Sequence, residues 1–411
     1  MARTGITTTL LDTALGSVSV NDSIAMLLCP AVAETGTGGL QFALDTAYMI
    51  TSAKDLTGMG VTEGKNASLL QSVNDFYAKA GSGARLWIVG YAKTADAYEK
   101  IPTTFADIVR STTVSDFALR PRIFAISGDG IEATTTTGQA LSPVVTKLVT
   151  DMDATLTAMF QDGYRMSGIV DAILINCATA GGILTEQLAT TLPAADSFNS
   201  PRIAIQLSSI HSTGSASVGD TLGWITTLTL STSAGAVRLG QEATTAYFLD
   251  ENAGSAIRTP VALGPTALYD QLGEKQYLFH RTRQDRSGVY FNDAATCNDP
   301  TMALSSIEFN RVGNAVCDLV ANFFQGLIND TVPTTTSGEV AAAYKDAMLA
   351  DLRQRYLVPR INAGYCQDIV VDFWAKDGNF IVSRAIEVSV KIFPLATARE
   401  VFIEVQFVTS L

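Results

Sequence analysis

The sequence is poor in charged residues and in histidine. Asp, Glu, Lys and Arg make up 17% of the 411 residues, against an average of about 25% in globular proteins. So little charge is typical of a subunit that neighbours cover, and also of a large enzyme with an extensive core. Only two histidines are present, so side chains suited to acid–base catalysis at neutral pH are rare.

Positive charge is scarcer than negative charge. The chain has 28 Lys and Arg against 40 Asp and Glu, which gives a net charge of −12 and a pI of about 4.7. Nucleic acid and anionic membrane surfaces both require clustered basic residues, so neither is expected as a partner. There is no apolar run of the roughly 18 residues that a membrane span needs, and 1–23 lack the apolar stretch of a signal peptide. We expect folding in the cytoplasm and no direct membrane insertion.

Cysteine and histidine spacing gives no recognisable metal or redox motif. The five cysteines are scattered without a C-x-x-C pair, which predicts buried reduced thiols, with catalytic or metal roles as the alternatives; they are Cys29, Cys177, Cys297, Cys317 and Cys366. His211 lies in a polar stretch that predicts a solvated loop. His280 stands beside Arg281 and Arg283, which predicts a cationic surface cluster. Neither histidine has zinc-site spacing.

Glycine-rich loops are the remaining candidates for cofactor chemistry. The best of them, Ser127-Gly-Asp-Gly130, follows a predicted strand but lacks the Lys and Ser/Thr of a phosphate-binding loop. No G-x-S-x-G nucleophile elbow is present. The sequence therefore predicts no catalytic residues, no metal and no cofactor. A cytosolic α/β enzyme with a pocket near 127–130 is the alternative.

Alternating strand and helix patterns predict a central α/β domain. Residues 1–25 have no core-forming period and are interpreted as an extended arm. The α/β domain is predicted over 26–262, with room for inserted loops. Strands are predicted at 85–90, 122–126, 169–176 and 203–207, and helices from Asn66 to Gly81, at 143–160, after Gly181–Gly182 and at 218–231.

The pattern changes at Leu263, and 263–398 are predicted to form an α+β domain. Short strands are expected at 277–280 and 288–291, a long helix over 304–327 and a second helix over 339–356, ending before Pro359. Two stretches then alternate strictly between apolar and other residues, at 386–392 and 401–408, around Pro394. This period predicts two strands of an antiparallel hairpin or of one small sheet. A strand so close to residue 411 requires a partner, in the same chain or in a neighbour.

The C-terminal third resembles the conserved domain of contractile tail sheath proteins. The shared order is the strand Gly288–Asp293, a helix with an early arginine at Phe309-Asn-Arg311, a second helix, a strand after Gly364-Tyr365, and the step Pro394, Ala398, Glu400 before a last strand. The helix–glycine–strand stretch 74–89 is also similar. Many relatives carry two adjacent arginines where only Arg311 stands here, and the usual Gly-Ala-Arg-Thr strand motif is replaced. Baseplate or tail-tube relatives are the alternatives within phage tails.

The resemblance implies a multi-domain α/β and α+β protein without catalysis. Its N-terminal arm and its C-terminal strand (399–411) would exchange with neighbouring subunits. The implied partners are further copies in a helical homopolymer, an inner tail tube protein, and baseplate and tail terminator proteins. The implied location is the bacterial host cytoplasm during assembly and then a phage tail or injection-system particle. The expected subunit interface residues are Ile386, Val388, Val390, Ile392, Glu400, Val401, Ile403, Val405 and Phe407.

Overall fold

The computed structural model describes most of the chain. The described residues are 23–36, 41–111, 114, 116, 118–129, 131, 140–174, 191–212, 218–248, 259–261, 266–283 and 286–395. The predicted arm up to residue 22, the helix after Gly181–Gly182 and the strand at 401–408 lie outside them. In the described part, no helix combines the length and the apolar character that a membrane span requires.

A six-stranded sheet forms the centre of the α/β domain. The strands of this part of the chain are β1 (Ala25–Ala31), β2 (Glu34–Thr35), β3 (Gln41–Phe42), β4 (Ala47–Ile50), β5 (Leu86–Ala92), β6 (Ile123–Ile126), β7 (Ser167–Asp171), β8 (Ile203–Gln206), β9 (Ser208–Ser209), β10 (Tyr247–Phe248) and β11 (Thr259–Pro260). The central sheet has the order β4-β5-β1-β6-β7-β8, in which only β4 is antiparallel to its neighbour. Numbered among themselves, its parallel strands follow the order 2-1-3-4-5, a common doubly wound arrangement.

Helices cover both faces of this sheet, so its strands are apolar on both sides. The helices here are α1 (Ala53–Gly58), α2 (Glu63–Ala80), α3 (Ala95–Arg110), α4 (Pro143–Gln161) and α5 (Val218–Thr227), with 3₁₀ turns at Ala195–Phe198 and Val237–Leu239. The buried residues of α3 and α4 share one core with Trp87 and Phe124, and those of α2 and α5 share the other with Leu86 and Ile123. The predicted α/β class and its four strands are confirmed, although β7 ends at Asp171 and α5 at Thr227.

Close contact between α2 and α5 depends on glycine. A Cβ atom on Gly219 would lie 2.0 Å from the backbone oxygen of Ser72, and one on Gly223 would lie 2.6 Å from that of Phe76. Any larger side chain would separate the two helices. Since Asp220 follows Gly219 directly, this contact also fixes the depth of the Asp220 carboxyl group.

The C-terminal part contains helices and two hairpins. Its elements are α6 (Thr266–Glu274), β12 (His280–Thr282), β13 (Val289–Phe291), α7 (Ile307–Gln325), α8 (Ala342–Leu352), a π-helical turn (Arg353–Leu357), α9 (Val358–Asn362), β14 (Asp368–Ala375), a 3₁₀ turn (Lys376–Gly378), α10 (Phe380–Ser383) and β15 (Ile386–Phe393). The prediction that the second helix ends before Pro359 is wrong. Pro359 cannot donate a backbone hydrogen bond, and the wider π turn before it lets the helix continue to Asn362.

Residues 278–297 attach this part of the chain to the edge of the central sheet. The Leu278 amide donates to the Ile205 carbonyl at 3.0 Å, and the Cys297 amide donates to the Ile203 carbonyl at 2.7 Å. These bonds satisfy backbone groups at the outer edge of β8, which would otherwise remain open.

Candidate functional site: the C-terminal hairpin

The strands β14 and β15 form a two-stranded antiparallel sheet. Its register runs from Asp368 opposite Phe393 to Ala375 opposite Ile386. At the tip, the side chain of Asn379 caps α10 by accepting a hydrogen bond from the Val382 amide at 3.2 Å. An isolated hairpin is only marginally stable in water, so the packing of one face on the rest of the chain holds it in place.

The inner face of the hairpin belongs to the core of the C-terminal part. Ile369 is buried in a cluster with the apolar residues of α7, and Phe373 is buried in a second cluster with Val332 and Val340. The side chains of the predicted interface residues Ile386, Val390 and Ile392 pack against these clusters. Val388, opposite Phe373, is 37% exposed.

The outer face of the hairpin carries apolar side chains in contact with solvent. Val370 is 43% exposed, Trp374 42% and Phe393 48%. Charged residues lie between them, and the Trp374 indole donates to the Glu387 carboxylate at 2.8 Å. Exposed apolar side chains grouped on one surface are typical of an interaction site.

The register also determines which backbone amides and carbonyls point outward at the two edges of the hairpin. The Ile369 amide donates to the Asp368 side chain and the Ile369 carbonyl accepts from the Arg353 side chain. Neither backbone group bonds to β15, so Ile369 and Ile392 form a pair without ladder bonds. Such pairs alternate along an antiparallel sheet. Ile386, Val388, Val390 and Ile392 consequently direct their amides and carbonyls away from β14. Within the described residues, β15 pairs only with β14. The predicted interface residues Glu400, Val401, Ile403, Val405 and Phe407 lie outside those residues.

Three arginines join α7, which supports the hairpin, to the part of the chain that forms the central sheet. Asp318 of α7 accepts from Arg122 and, at 2.6 Å, from Arg165; these arginines lie just before β6 and β7, and Asp318 and Arg122 are buried. Arg311 of α7 is also buried and donates to the Ile225 carbonyl of α5 at 3.0 Å. It thereby satisfies a carbonyl in the last turn of α5, which a cation at a helix C-terminus does well. The early arginine of the resemblance, Arg311, therefore bonds α7 to α5.

The prediction for His280 is wrong, and the prediction for His211 holds only in part. His280 is fully buried rather than part of a surface cluster: its Nε2 lies 2.8 Å from the Glu242 carboxylate and its Nδ1 lies 2.8 Å from the Ser208 hydroxyl. His211 is only partly exposed, with its Nε2 2.7 Å from the Asp75 carboxylate. Sequence reasoning missed these partners because Glu242 and Asp75 are distant in the chain.

His280 belongs to a buried polar cluster with Lys79, Asp220 and Glu242. The side-chain atoms of Asp220, Glu242 and His280 that could bind a metal ion lie within 4.8 Å of one another. Two carboxyl groups and an imidazole in this arrangement suit a cation. A cation is supplied by the chain itself. The Lys79 ammonium lies 3.1 Å from Glu242 and 3.6 Å from Asp220, and it donates to the Glu242 carbonyl.

If Asp220 and Glu242 were both ionised, Lys79 would compensate only one of their two negative charges. A proton bound to one carboxyl group removes the other charge. Burial, together with the hydrogen bond and the charge of Glu242, raises the pKa of Asp220 to about 10. Burial alone would raise the pKa of Glu242 as well, but hydrogen bonds from Asp220 and His280 and the charge of Lys79 lower it below its ordinary value. A neutral Asp220 that donates to an ionised Glu242, itself paired with Lys79, leaves these two carboxyl groups and the ammonium without a net charge.

Described residues hydrogen-bond to one another at the place where a doubly wound enzyme binds its ligand. That place lies at the C-terminal ends of β1 and β6, because the strand order reverses between these two strands. The buried Tyr91 side chain donates to the Ser127 carbonyl there, and the Gly128 amide donates to Asp171 at 3.3 Å. Cys29, Cys297 and Cys366 are buried and Cys317 is half-buried, as predicted, while Cys177 lies outside the described residues. Burial raises the pKa of the Cys29 and Cys297 thiols, so their reactive thiolate forms are disfavoured.

The fold as a whole is that of contractile sheath proteins. The sheath of an extracellular contractile injection system (PVC) in the contracted state matches 100% of this chain and 98% of that chain, at 15% identity and a TM-score of 0.55. The contracted helical sheath of the anti-feeding prophage covers 100% of both chains at 11% identity and a TM-score of 0.56. The sheath tail protein of Desulfitobacterium hafniense matches 95% of this chain and 100% of that chain at 7% identity and a TM-score of 0.50.

The sequence itself also matches a family model. Residues 3–295 match the model described as DUF2586, N-terminal domain. The chain therefore belongs to the DUF2586 family. No curated protein matches the sequence.

Proposed function

We propose that this protein is the structural subunit of a contractile tail sheath. It polymerises helically around an inner tube and contracts to drive that tube through a target envelope. The fold carries this proposal, because all the sheath structures described above extend over nearly the whole chain. The partners are further copies, the inner tail tube protein, and baseplate and tail terminator proteins. The subunit is made in the host cytoplasm and ends in the tail or the injection-system particle.

The hairpin provides the backbone hydrogen-bonding groups through which subunits join. Outward amides and carbonyls at 386, 388, 390 and 392 can accept a further strand through backbone hydrogen bonds, which need no particular side-chain sequence. The strand at 401–408, with Glu400, Val401, Ile403, Val405 and Phe407, is proposed to come from a neighbouring subunit. A head-to-tail contact of this kind that does not close on itself produces a helical filament.

Contraction requires the globular parts to move while the strands stay connected. The bonds from Asp318 and Arg311 hold α7 on the α/β domain, so we propose that each subunit rotates largely as one body. Packed interfaces between such bodies adopt a few discrete arrangements and do not deform continuously from one to another. An extended and a contracted tube would be two of them, and no nucleotide is required for the change.

Deletion of residues 399–411 tests the proposal. The shortened protein should remain soluble and mostly folded, as judged by circular dichroism, because it keeps the central sheet, its helices and the β14–β15 hairpin. It should form no tubes in negative-stain electron microscopy under conditions in which the full chain does. Normal polymerisation of the shortened protein would contradict the exchange of strands.

The N-terminal arm offers an independent test. Residues 1–22 should exchange their amide hydrogens quickly in the monomer, since they lack a core-forming pattern. Protection should develop only when tubes form. Strong protection in the monomer would mean that the arm folds on its own chain.

The absence of catalysis is proposed as well and can be tested with two variants. Asp129→Ala and His211→Ala should assemble like the wild type, because neither residue lies on β14 or β15. A measurable turnover abolished by either substitution, or a nucleotide bound at 127–130, would favour the α/β enzyme instead.

A further inference from the structure

The two edges of the hairpin differ in how their backbone groups are satisfied. At the β14 edge, the Ile369 amide donates to the carboxylate of Asp368 at 2.8 Å, and the Phe373 amide donates to the carboxylate of Asp372 at 2.8 Å. Each aspartate thus covers the outward amide of the residue that follows it. The two units are four residues apart and repeat the same geometry.

Cations from the neighbouring helical segment hold both carboxylates. Arg353 of the π-helical turn contacts Asp368 at 3.0 Å and also donates to the Ile369 carbonyl at 3.1 Å. Lys345 of α8 contacts the Asp372 carboxylate at 2.6 Å. Both outward backbone groups of Ile369 and the outward amide of Phe373 are therefore already bonded.

The β15 edge is arranged differently. Its charged side chains, Glu387 and Lys391, lie on the outer face rather than over the edge, since they stand opposite Trp374 and Val370. Among the described residues, no side chain bonds to the outward amides of Ile386, Val388, Val390 or Ile392. A strand with the alternation of 401–408 would extend the inner face of the hairpin if its apolar side chains pointed inward.

We infer that the β14 edge is closed by Asp368 and Asp372, so the hairpin takes a strand from a second copy along β15 only. This inference rests on the proposed function and adds to it the side on which the strand binds. A strand on β14 would have to displace two carboxylates together with their cations. Charged side chains at an edge are a common protection against unwanted pairing, and here they would keep free subunits from joining through the wrong edge.

Disulfide trapping distinguishes the two edges. Val370 and Lys391 stand directly opposite each other on the outer face, and both are exposed. They form a matched pair of receptor positions, Val370→Cys and Lys391→Cys. Each is mixed with protein carrying Gln406→Cys or Glu404→Cys under mild oxidation. Cys177→Ser and Cys317→Ser form the background, because the other three cysteines are buried.

A strand beside β15 lies about 5 Å from position 391 and about 10 Å from position 370, while a disulfide requires a Cβ–Cβ separation of about 4 Å. Covalent dimer should form at least tenfold faster with Lys391→Cys. Equal or preferential trapping at Val370→Cys, or no trapping at 391 in protein that forms tubes, would overturn the inference. Normal tubes after deletion of 399–411 would instead overturn the proposed strand exchange itself.

A second experiment opens the closed edge. Asp368→Ala with Asp372→Ala should allow trapping at Val370→Cys and produce irregular aggregates beside the tubes. The control, Glu339→Ala with Glu387→Ala, removes the same charge from exposed positions that bond no edge amide. Unchanged assembly and no trapping at position 370 in the double aspartate variant would show that the two carboxylates do not close this edge.

Discussion

Replacing Asp220 by asparagine tests the proton that the buried cluster holds in the native state. Asparagine has nearly the same shape as a neutral aspartic acid and can still donate a hydrogen bond to Glu242. It cannot ionise, however. The variant therefore keeps the geometry of the cluster and removes only the titration of residue 220.

The direction of the effect follows from the shift in the pKa of Asp220. The group ionises near its ordinary value of 3.8 in the unfolded chain and near 10 in the native protein, so the native state holds one additional proton between these values. This stabilisation is fully present below about pH 4 and is lost as the pH rises towards 10. One proton corresponds to about 1.4 kcal/mol per pH unit, or about 3 kcal/mol between pH 6 and pH 8. Glu242, whose pKa is lowered, titrates at more acidic pH and does not oppose this slope.

Urea unfolding of dilute protein, followed by tryptophan fluorescence at pH 6, 7 and 8, measures the effect. The free energy of unfolding of Asp220→Asn relative to wild type should increase by about 3 kcal/mol across this range. In the difference between variant and wild type, the contributions of other groups that titrate between pH 6 and pH 8 cancel. Asp346→Asn, at an exposed position of α8, is the control and should leave the slope unchanged. If Asp220→Asn and the wild type show the same slope, Asp220 is ionised in the native protein and the neutral cluster is wrong.

Three further outcomes are expected from single substitutions. Asp318→Asn leaves two arginines without their carboxylate and should lower the free energy of unfolding by about 3 kcal/mol, whereas Asp162→Asn, in an exposed ion pair, should cost less than about 1 kcal/mol; urea unfolding measures both. Gly219→Ala forces α2 and α5 apart and should cost about 2 kcal/mol, while Gly64→Ala, with open space around its Cβ, should lower the thermal midpoint little or raise it. Glu242→Gln leaves Lys79 without its ionised partner and should destabilise more than Asp220→Asn at every pH, as seen in parallel thermal melts.

The parts of the fold that the sequence predicts are those with a strong local signal. The helix that begins near Asn66 has an apolar face and a C-cap glycine, and the structure has both in α2. The helix α3 is absent from the sequence-based prediction, and Pro102 in its interior ordinarily argues against a helix. Here, Tyr98, Ile101 and Phe105 are buried against the sheet, and their packing offsets the missing hydrogen bond. Tertiary contacts of this kind are not visible in a local pattern.

The buried polar cluster shows a different limit. Lys79, Asp220, Glu242 and His280 come from four separate segments, so no local pattern connects them. A histidine beside two arginines favours a solvated cluster on composition alone. Only the arrangement of α2, α5 and β12 brings an ammonium, two carboxyl groups and an imidazole together. A charged group becomes tolerable in a core when its partners are present, so burial could not be predicted before the topology was known.

The hairpin shows why a correct strand can still leave its role undetermined. The alternation of Ile386, Val388, Val390 and Ile392 predicts which side chains share a face, and the structure places that face against α7 and the residues around Val332. The same residues direct their amides and carbonyls towards the open edge, because in an antiparallel pair the positions without ladder bonds recur with the period of two that also defines a face. Core packing by Ile386, Val390 and Ile392 and the proposed strand addition along β15 thus depend on different atoms of the same strand. Val390→Ala would therefore weaken the core while leaving the outward amide in place. Val390→Pro would also remove that amide from the edge. Tube formation should therefore decrease far more with the proline variant than its change in unfolding free energy alone would explain.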